Sequence, residues 1–215
     1  YTGSRVLGSA IAMDKNLTKQ LAQAAGVRVP AWEVVHGPVG GPGRNLQPPV
    51  IIKPNREGST IGMTIVREEK NYEAALQEAF RYDETVLVEQ YIQGREVTVG
   101  ILDGKLLPIL EVIPKEGFYD FKAKYTKGMT EYRVPALLAE GIAEEVNAAT
   151  LKVWKTLDLR GVARADFMID TTGASWFLEV NTIPGMTEIS LVPKAAAAQG
   201  LPFEKLCERI LESAQ

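Results

Sequence analysis

This chain of 215 residues is poor in the residues that build several common sites. It has one histidine, His36, and one cysteine, Cys207. A single histidine excludes an HExxH zinc site, and with one cysteine it leaves no Cys/His zinc cluster. It also argues against a Ser-His-Asp triad, because His36 opens a Gly/Pro-rich stretch (His36-Gly37-Pro38 to Gly43) and reads as a solvated loop histidine. One cysteine cannot form an internal disulfide, so a reducing compartment, the cytoplasm, is expected. No run of about 18 apolar residues occurs, which excludes a spanning helix. Charge of one sign is lacking too: Lys+Arg 24 against Asp+Glu 27 gives a net of -3. That balance argues against a nucleic-acid footprint, which shows as a basic excess. Gly 19 and Pro 12 in 215 residues stay well short of a disordered composition. The chain opens at Tyr1 without a methionine or a signal-peptide layout, and reads as a fragment or a processed chain.

What is present is 46% hydrophobic content, enough for one or two real cores. Asp14, Leu17, Leu21, Ala24 and Gly26 predict a short capped helix with a glycine stop. Residues 37–49 form a Pro/Gly loop. The runs 50–53 and 63–66 predict short strands around a polar, glycine-containing loop, and 68–80 carries helical spacing. Strands are expected at 85–92, 96–102, 106–113, 161–169 and 175–181, with helices at 139–157 and 203–213. Without a steady βαβ rhythm, this predicts an α+β fold with helices on one face of its sheets. Two lobes are expected, 1–89 and 90–215.

The sharpest physical signal is a strand pair. A turn at Thr171-Thr172-Gly173-Ala174 would pair Asp170 with Ser175, Met168 with Phe177, Asp166 with Glu179, and Arg164 with Asn181. Side chains alternate along a strand, so Arg164, Asp166, Glu179 and Asn181 share one face. Val162, Ala165, Phe167, Ile169, Leu178 and Val180 mostly take the other. Opposed residues have Cβ atoms about 4.5–5.5 Å apart, and like charges there repel. Two opposed carboxylates call for a cation. Asp, Glu and an amide oxygen are hard donors that suit Mg²⁺ shared with substrate phosphates. The plainer alternative is that Arg164 alone balances the pair on a solvated face.

A second constellation is Lys53 at a strand end, followed by Pro54-Asn55-Arg56-Glu57-Gly58-Ser59-Thr60-Ile61-Gly62-Met63. Gly58 and Gly62 allow close backbone approach, successive N–H groups can form an anion nest, and a lysine supplies a point charge for phosphate. It matches neither GxxxxGK[ST] nor GxGxxG, and an ordinary glycine hairpin stays open as the alternative. Glu89 and Glu96 flank Gly94 and could accept from a base or a ribose.

Taken in order, VIIKPNREGSTIGM, VLVEQYIQGREVTV, FYDFKAKY, GVARADFMID and FLEVNTIPGMTEISLVP resemble the ATP-grasp ligases, and among them the D-alanine–D-alanine ligases. The resemblance implies an ATP-grasp fold of two α+β lobes holding nucleotide between antiparallel sheets. It covers the family's central and C-terminal domains, with the N-terminal domain absent. By it, Lys15 and Lys53 contact the nucleotide phosphates, the backbone at Gln90, Tyr91 and Ile92 meets the adenine, and Glu96 takes the ribose. Ser59 lies in the loop over the β- and γ-phosphates. Phe118 stacks near the base, and Lys124 and Tyr125 sit on a mobile loop, 116–128, that closes the site. Asp166, Glu179 and Asn181 hold two Mg²⁺ (or Mn²⁺) ions. Arg164 and the Gly185 amide stabilise the tetrahedral intermediate, and Ser190 with Leu191 binds the acceptor carboxylate. The implied reaction joins two D-alanines at the cost of ATP for peptidoglycan precursors. Tyr125 in KAKY favours an amine acceptor over D-lactate. A nucleotide-binding fragment without turnover is the other alternative. The partners implied are D-alanine and, for the full-length protein, a second copy in a homodimer, with neither nucleic acid nor membrane.

Overall fold

Alternation along the strands gives this chain two sheets, each with one apolar and one polar face. The computed structural model describes residues 1–37, 45–114 and 130–214. The first sheet orders β1 (Trp32–His36), β4 (Thr85–Gln90), β2 (Val50–Pro54) and β3 (Thr64–Val66), with antiparallel neighbours throughout. Val50, Ile52, Val66, Val86 and Val88 are buried together with Tyr72, Ala75, Leu76 and Ala79 of helix α3 (Tyr72–Phe80). Each of the buried Val, Ile and Leu side chains contributes roughly 1.5–3 kcal/mol on leaving water. The intervening Ile51, Lys53 and Glu89 therefore face the opposite way.

The second sheet orders β10 (Ser175–Asn181), β9 (Val162–Asp170), β5 (Gly94–Leu102), β7 (Leu110–Pro114) and β8 (Thr130–Arg133), with β6 (Lys105–Leu106) paired to β5. Val97, Val99, Ala163, Ala165, Phe167 and Ile169 fill one face. They pack with Val146 and Val153 of helix α4 (Glu140–Thr156), and the rings of Phe167 and Phe177 meet edge-on at 5.5 Å. The other face carries Glu96, Thr98, Arg164, Asp166 and Met168. At its far end Leu102 and Val162 are covered by Val192, Ala195 and Ala196 of α5 (Leu191–Ala198) and Leu206 of α6 (Phe203–Glu212). Helices thus lie on both faces of this sheet, not on one as the element order suggested. Among the described residues no helix is long and apolar enough to cross a membrane.

The N-terminal helices α1 (Val6–Met13) and α2 (Lys15–Ala24) complete the second sheet's core, not the first: Ala12, Ala22, Val27 and Val29 belong to the cluster of Phe167. A lobe running 1–89 separates them from that core, and Glu89 lies within β4. Other boundaries have local causes. Asp14 caps α2 by accepting from the Leu17 N–H at 3.0 Å, and Gly26 ends it with φ +74. Pro108, with no N–H to donate, falls in the gap that splits the expected 106–113 strand into β6 and β7. His36 closes β1, with Nδ1 3.3 Å from the Thr85 hydroxyl, where a loop was expected.

Candidate active site

The hairpin that carries the carboxylates changes register partway along. Near the turn, Ser175 pairs with Ile169, Trp176 with Met168 and Phe177 with Phe167. This is one residue off the alignment expected from the turn, and continued unbroken it would set Asp166 opposite Leu178. A β-bulge between Phe177 and Glu179 absorbs one residue, after which Glu179 pairs with Asp166, Val180 with Ala165 and Asn181 with Arg164. The bulge puts Leu178 and Glu179 side by side on the polar face, so Leu178 lines the cleft and not the apolar core as alternation alone implied. The shifted turn is held by Asp170, whose Oδ1 accepts from the N–H groups of Thr172 (2.9 Å) and Ala174 (3.0 Å) and whose Oδ2 accepts from the Trp176 indole (2.8 Å).

The two polar faces enclose one cleft of about 990 Å³, its open mouth included. Lys15, Lys53, Ser59, Glu89, Gln90, Tyr91, Ile92, Glu96, Arg164, Asp166, Glu179 and Leu191, all singled out from the sequence, line it. Asn181, Gly185 and Ser190 do not reach its wall. Asn181 Oδ1 accepts from the Ile183 N–H at 2.9 Å, beyond the Arg164 pairing. Ser190 precedes α5; its Oγ accepts from the Thr187 N–H at 3.1 Å, and a Cβ at Gly185 would lie 3.1 Å from that Oγ. Phe118, Lys124 and Tyr125, with the whole 116–128 segment, lie outside the described residues.

On the carboxylate side, Asp166 is buried and held by three hydrogen bonds from two side chains. Thr98 donates to Oδ1 at 2.6 Å, while Arg164 forms a bidentate pair, Nε to Oδ1 and Nη2 to Oδ2, each at 2.8 Å. Arg164 and Asp166 sit two apart on one strand, which is why the fork can close. Glu179 lies 3.7 Å from the Lys15 ammonium. Among the described residues no three His, Cys, Asp or Glu side chains converge on one point. The oxygen donors are two carboxylates plus the neighbouring Asn181 amide, a set that suits a hard cation only if phosphate or water supplies the remaining ligands.

On the opposite side, Lys15 opens α2 and hydrogen-bonds the Glu57 carbonyl, while Lys53 is the penultimate residue of β2. Burial lowers the Lys15 ammonium's pKa, with Glu179 opposing and Lys53 adding to the shift. The loop between them and β3 is bent by Ser59 (φ 52) and Thr60 (φ 62), non-glycine residues in the left-handed region, a strain that collects at ligand loops. Gly58 has open space where a Cβ would stand, as close ligand approach requires. Gly62 has another reason: at φ +65 its Cβ would strike Tyr82 and Pro54.

Glu89 differs from its expected role. It is only 1% exposed and its oxygens are engaged by two lysines: Oε1 by Lys53 at 3.1 Å, Oε2 by Lys19. Burial pushes its carboxyl up, and the two ammonium groups outweigh that and hold it low. Sequence reading missed Lys19 because Leu17 and Leu21 looked like the buried stripe of α2, whereas the helix buries Thr18, Lys19 and Ala22. It missed Thr98 and Met168 as well, although strict alternation with Glu96 and with Asp166 would have placed both.

Two antiparallel sheets that hold lysines and a strained glycine loop against a carboxylate hairpin define an ATP-grasp fold, and solved structures agree. The chain superposes with TM-score 0.84 on D-alanine–D-alanine ligase from Bacillus anthracis complexed with ATP, at 34% identity over 99% of this chain and 69% of that one. VanG D-Ala:D-Ser ligase from Enterococcus faecalis gives 0.83 at 30% identity, over 98% and 64%. Residues 21–212 match the family described as D-ala D-ala ligase C-terminus. The D-alanine–D-alanine ligase of Syntrophotalea carbinolica is 50% identical over 214 residues, 100% of this chain and 70% of that protein, and that of Aquifex aeolicus is 43% identical. The chain belongs to the D-alanine–D-alanine ligase family.

Proposed function

We propose that this chain joins two D-alanines at the expense of ATP, passing through a D-alanyl phosphate, to supply peptidoglycan precursor synthesis. The observation that carries the reading is one cleft with Lys15, Lys53 and the Ser59 loop on one side and Arg164, Asp166 and Glu179 on the other. The family membership fixes which ligase chemistry that cleft is matched to.

In the first step a carboxylate oxygen of one D-alanine bonds to the γ-phosphorus as the bond to the bridging oxygen breaks, releasing ADP. In the second, the amine of the other D-alanine bonds to the carbonyl carbon, phosphate leaves with the bonding pair, and the amine loses a proton. Phosphoryl transfer asks the protein mainly for position and charge. Lys15 and Lys53 bind the phosphates, and the Ser59 loop offers backbone N–H groups to them. Ile51, Ile92, Met168 and Leu178 give the apolar walls a base needs. Glu96 takes the ribose. Arg164 and the Gly185 N–H serve the developing oxyanion, and Ser190 with Leu191 meets the acceptor carboxylate. Asp166, Glu179 and Asn181 would hold Mg²⁺ or Mn²⁺, two ions in all, and the metal's contribution is to neutralise phosphate charge. The reading places the work in the cytoplasm and includes a homodimer, which light scattering checks.

The test is incubation with ATP, Mg²⁺ and D-alanine, following ADP and dipeptide together, with D-serine and D-lactate offered as rival acceptors. D-Alanyl-D-alanine with stoichiometric ADP is the expected result. ADP formed without dipeptide, or preferential use of D-lactate or D-serine, would reject the proposed acceptor.

A further inference from the structure

Lys19 is among the largest fully buried side chains of the described residues, at 0% exposure, and it is a lysine. Its ammonium pairs with Glu89, lies 5.8 Å from the centre of the Trp32 ring, and does not line the cleft. The groups facing it come from four strands: Trp32 of β1, Lys53 of β2, Glu89 of β4 and Glu179 of β10. An unpaired ammonium would not remain there, since burying a charge is tolerated only with a partner.

The helix that carries it is fastened to the first sheet around the same point. The Lys15 N–H donates to the Asn55 carbonyl at 3.2 Å, the Asn16 N–H to Asn55 Oδ1 at 2.9 Å, and the Trp32 indole to Asn16 Oδ1 at 2.9 Å. Thus α2 is built into the second sheet's core yet sends Lys19 across to Glu89 of the first.

Charge counting shows what Lys19 changes. Glu89 alone against Lys53 is a closed pair, with no net charge to offer a ligand. With Lys19 added, two ammonium groups face one carboxylate and one positive charge is left over. Of the two lysines only Lys53 reaches the cleft wall. We propose that Lys19 is a positioning residue of the phosphate wall: by neutralising Glu89 from within the protein, it leaves the charge of Lys53 to act on a bound polyphosphate. Lys19 touches no ligand and acts through Glu89. The inference rests on the nucleotide reading of the cleft and adds a determinant of its phosphate affinity.

The experiment titrates a non-hydrolysable ATP analogue and, separately, adenosine into wild type, Lys19→Met and the double variant Lys19→Met/Glu89→Gln, with folding of each verified by thermal melts. Lys19→Met is expected to weaken the triphosphate by about tenfold, the order of one lost charge acting through partly solvated protein, and to leave adenosine nearly unchanged. The double variant removes both partners, restores one positive charge at Lys53, and is expected to recover most of the loss. It also avoids leaving a buried carboxylate short of a partner, so it is expected to be the less destabilised of the two variants. Unchanged triphosphate affinity in Lys19→Met, equal losses for both ligands, or no recovery in the double variant would overturn the inference. A wild type that binds neither ligand would overturn the nucleotide reading itself.

Discussion

The Thr98 hydroxyl donates to Asp166 Oδ1 at 2.6 Å, across the β5–β9 pairing that sets these two residues directly opposite. Both are buried, and Thr98 belongs to the cleft wall. Alternation turns the two side chains to the same face, so the pairing register itself aims the carboxylate. Thr98→Val keeps the shape and removes the donor. The expected result is a Mg²⁺ titration of nucleotide binding displaced to higher concentration, by roughly 10–100-fold in apparent metal affinity, measured by titrating Mg²⁺ at fixed nucleotide. An unaltered Mg²⁺ titration would show that Arg164 alone aims Asp166.

Glu179→Gln keeps the side chain's size and shape at the bulge while removing the charge opposed to Asp166. Nucleotide binding at low Mg²⁺ is expected to weaken, while binding of adenosine without phosphates stays as it was. Calorimetry at two Mg²⁺ concentrations measures this.

Gly94 begins β5 where that strand passes close against β9. A Cβ there would stand 1.9 Å from the Ile169 carbonyl oxygen, which is backbone and cannot swing aside. Gly94→Ala is expected to destabilise the chain by about 3 kcal/mol, read from urea unfolding, with the β5–β9 register as the part disturbed.

Lys19 carries a pH signature. Burial lowers its pKa from the ordinary 10.5 to about 8, against the opposing pull of Glu89. Between those values the unfolded chain holds a proton that the folded chain has released. The cost of burying the charge is therefore fully present below about 8 and shrinks as pH rises toward 10.5. Wild type is expected to gain stability relative to Lys19→Met across that window, by up to about 1.4 kcal/mol per pH unit. Triphosphate affinity should fall over the same range as the surplus charge disappears. Denaturant melts of both proteins at several pH values measure the first, and titrations the second.

Asp170 acts at the hairpin turn. Hydrogen bonds from Thr172 and Trp176 hold its carboxyl well below the usual carboxylate range. A lowered carboxylate value contributes stability that is present above the ordinary 3.8 and is lost as pH falls below it. Asp170→Ala is expected to lower the melting temperature at neutral pH, and the gap to wild type should narrow on acidification. A gap that is constant with pH would show that the turn does not depend on the charged form.

Much of the site was legible because it depends on covalent geometry. In GVARADFMID the alternation of side chains sends Arg164, Asp166 and Met168 one way and Ala165, Phe167 and Ile169 the other, whatever the strand pairs with. The Asp14 cap and the glycine stop of α2 are equally local. The order of motifs along the chain carried the family, and with it Lys15 and Lys53. Other features depended on which surfaces dock. Turn chemistry at Asp170 set the hairpin one residue off, and only the bulge at Leu178 returned Glu179 to Asp166. The burial of Lys19 depended on α2 packing into the second sheet's core while reaching Glu89 on the first. A lysine in a helix reads as solvated until a buried carboxylate from a distant strand is brought against it, and no local pattern encodes that meeting. Sequence by itself therefore determined the faces of the strands and the chemistry each face carries. The tertiary structure decided which charges neutralise one another, because desolvation and pairing are properties of the assembled contact and not of either residue alone.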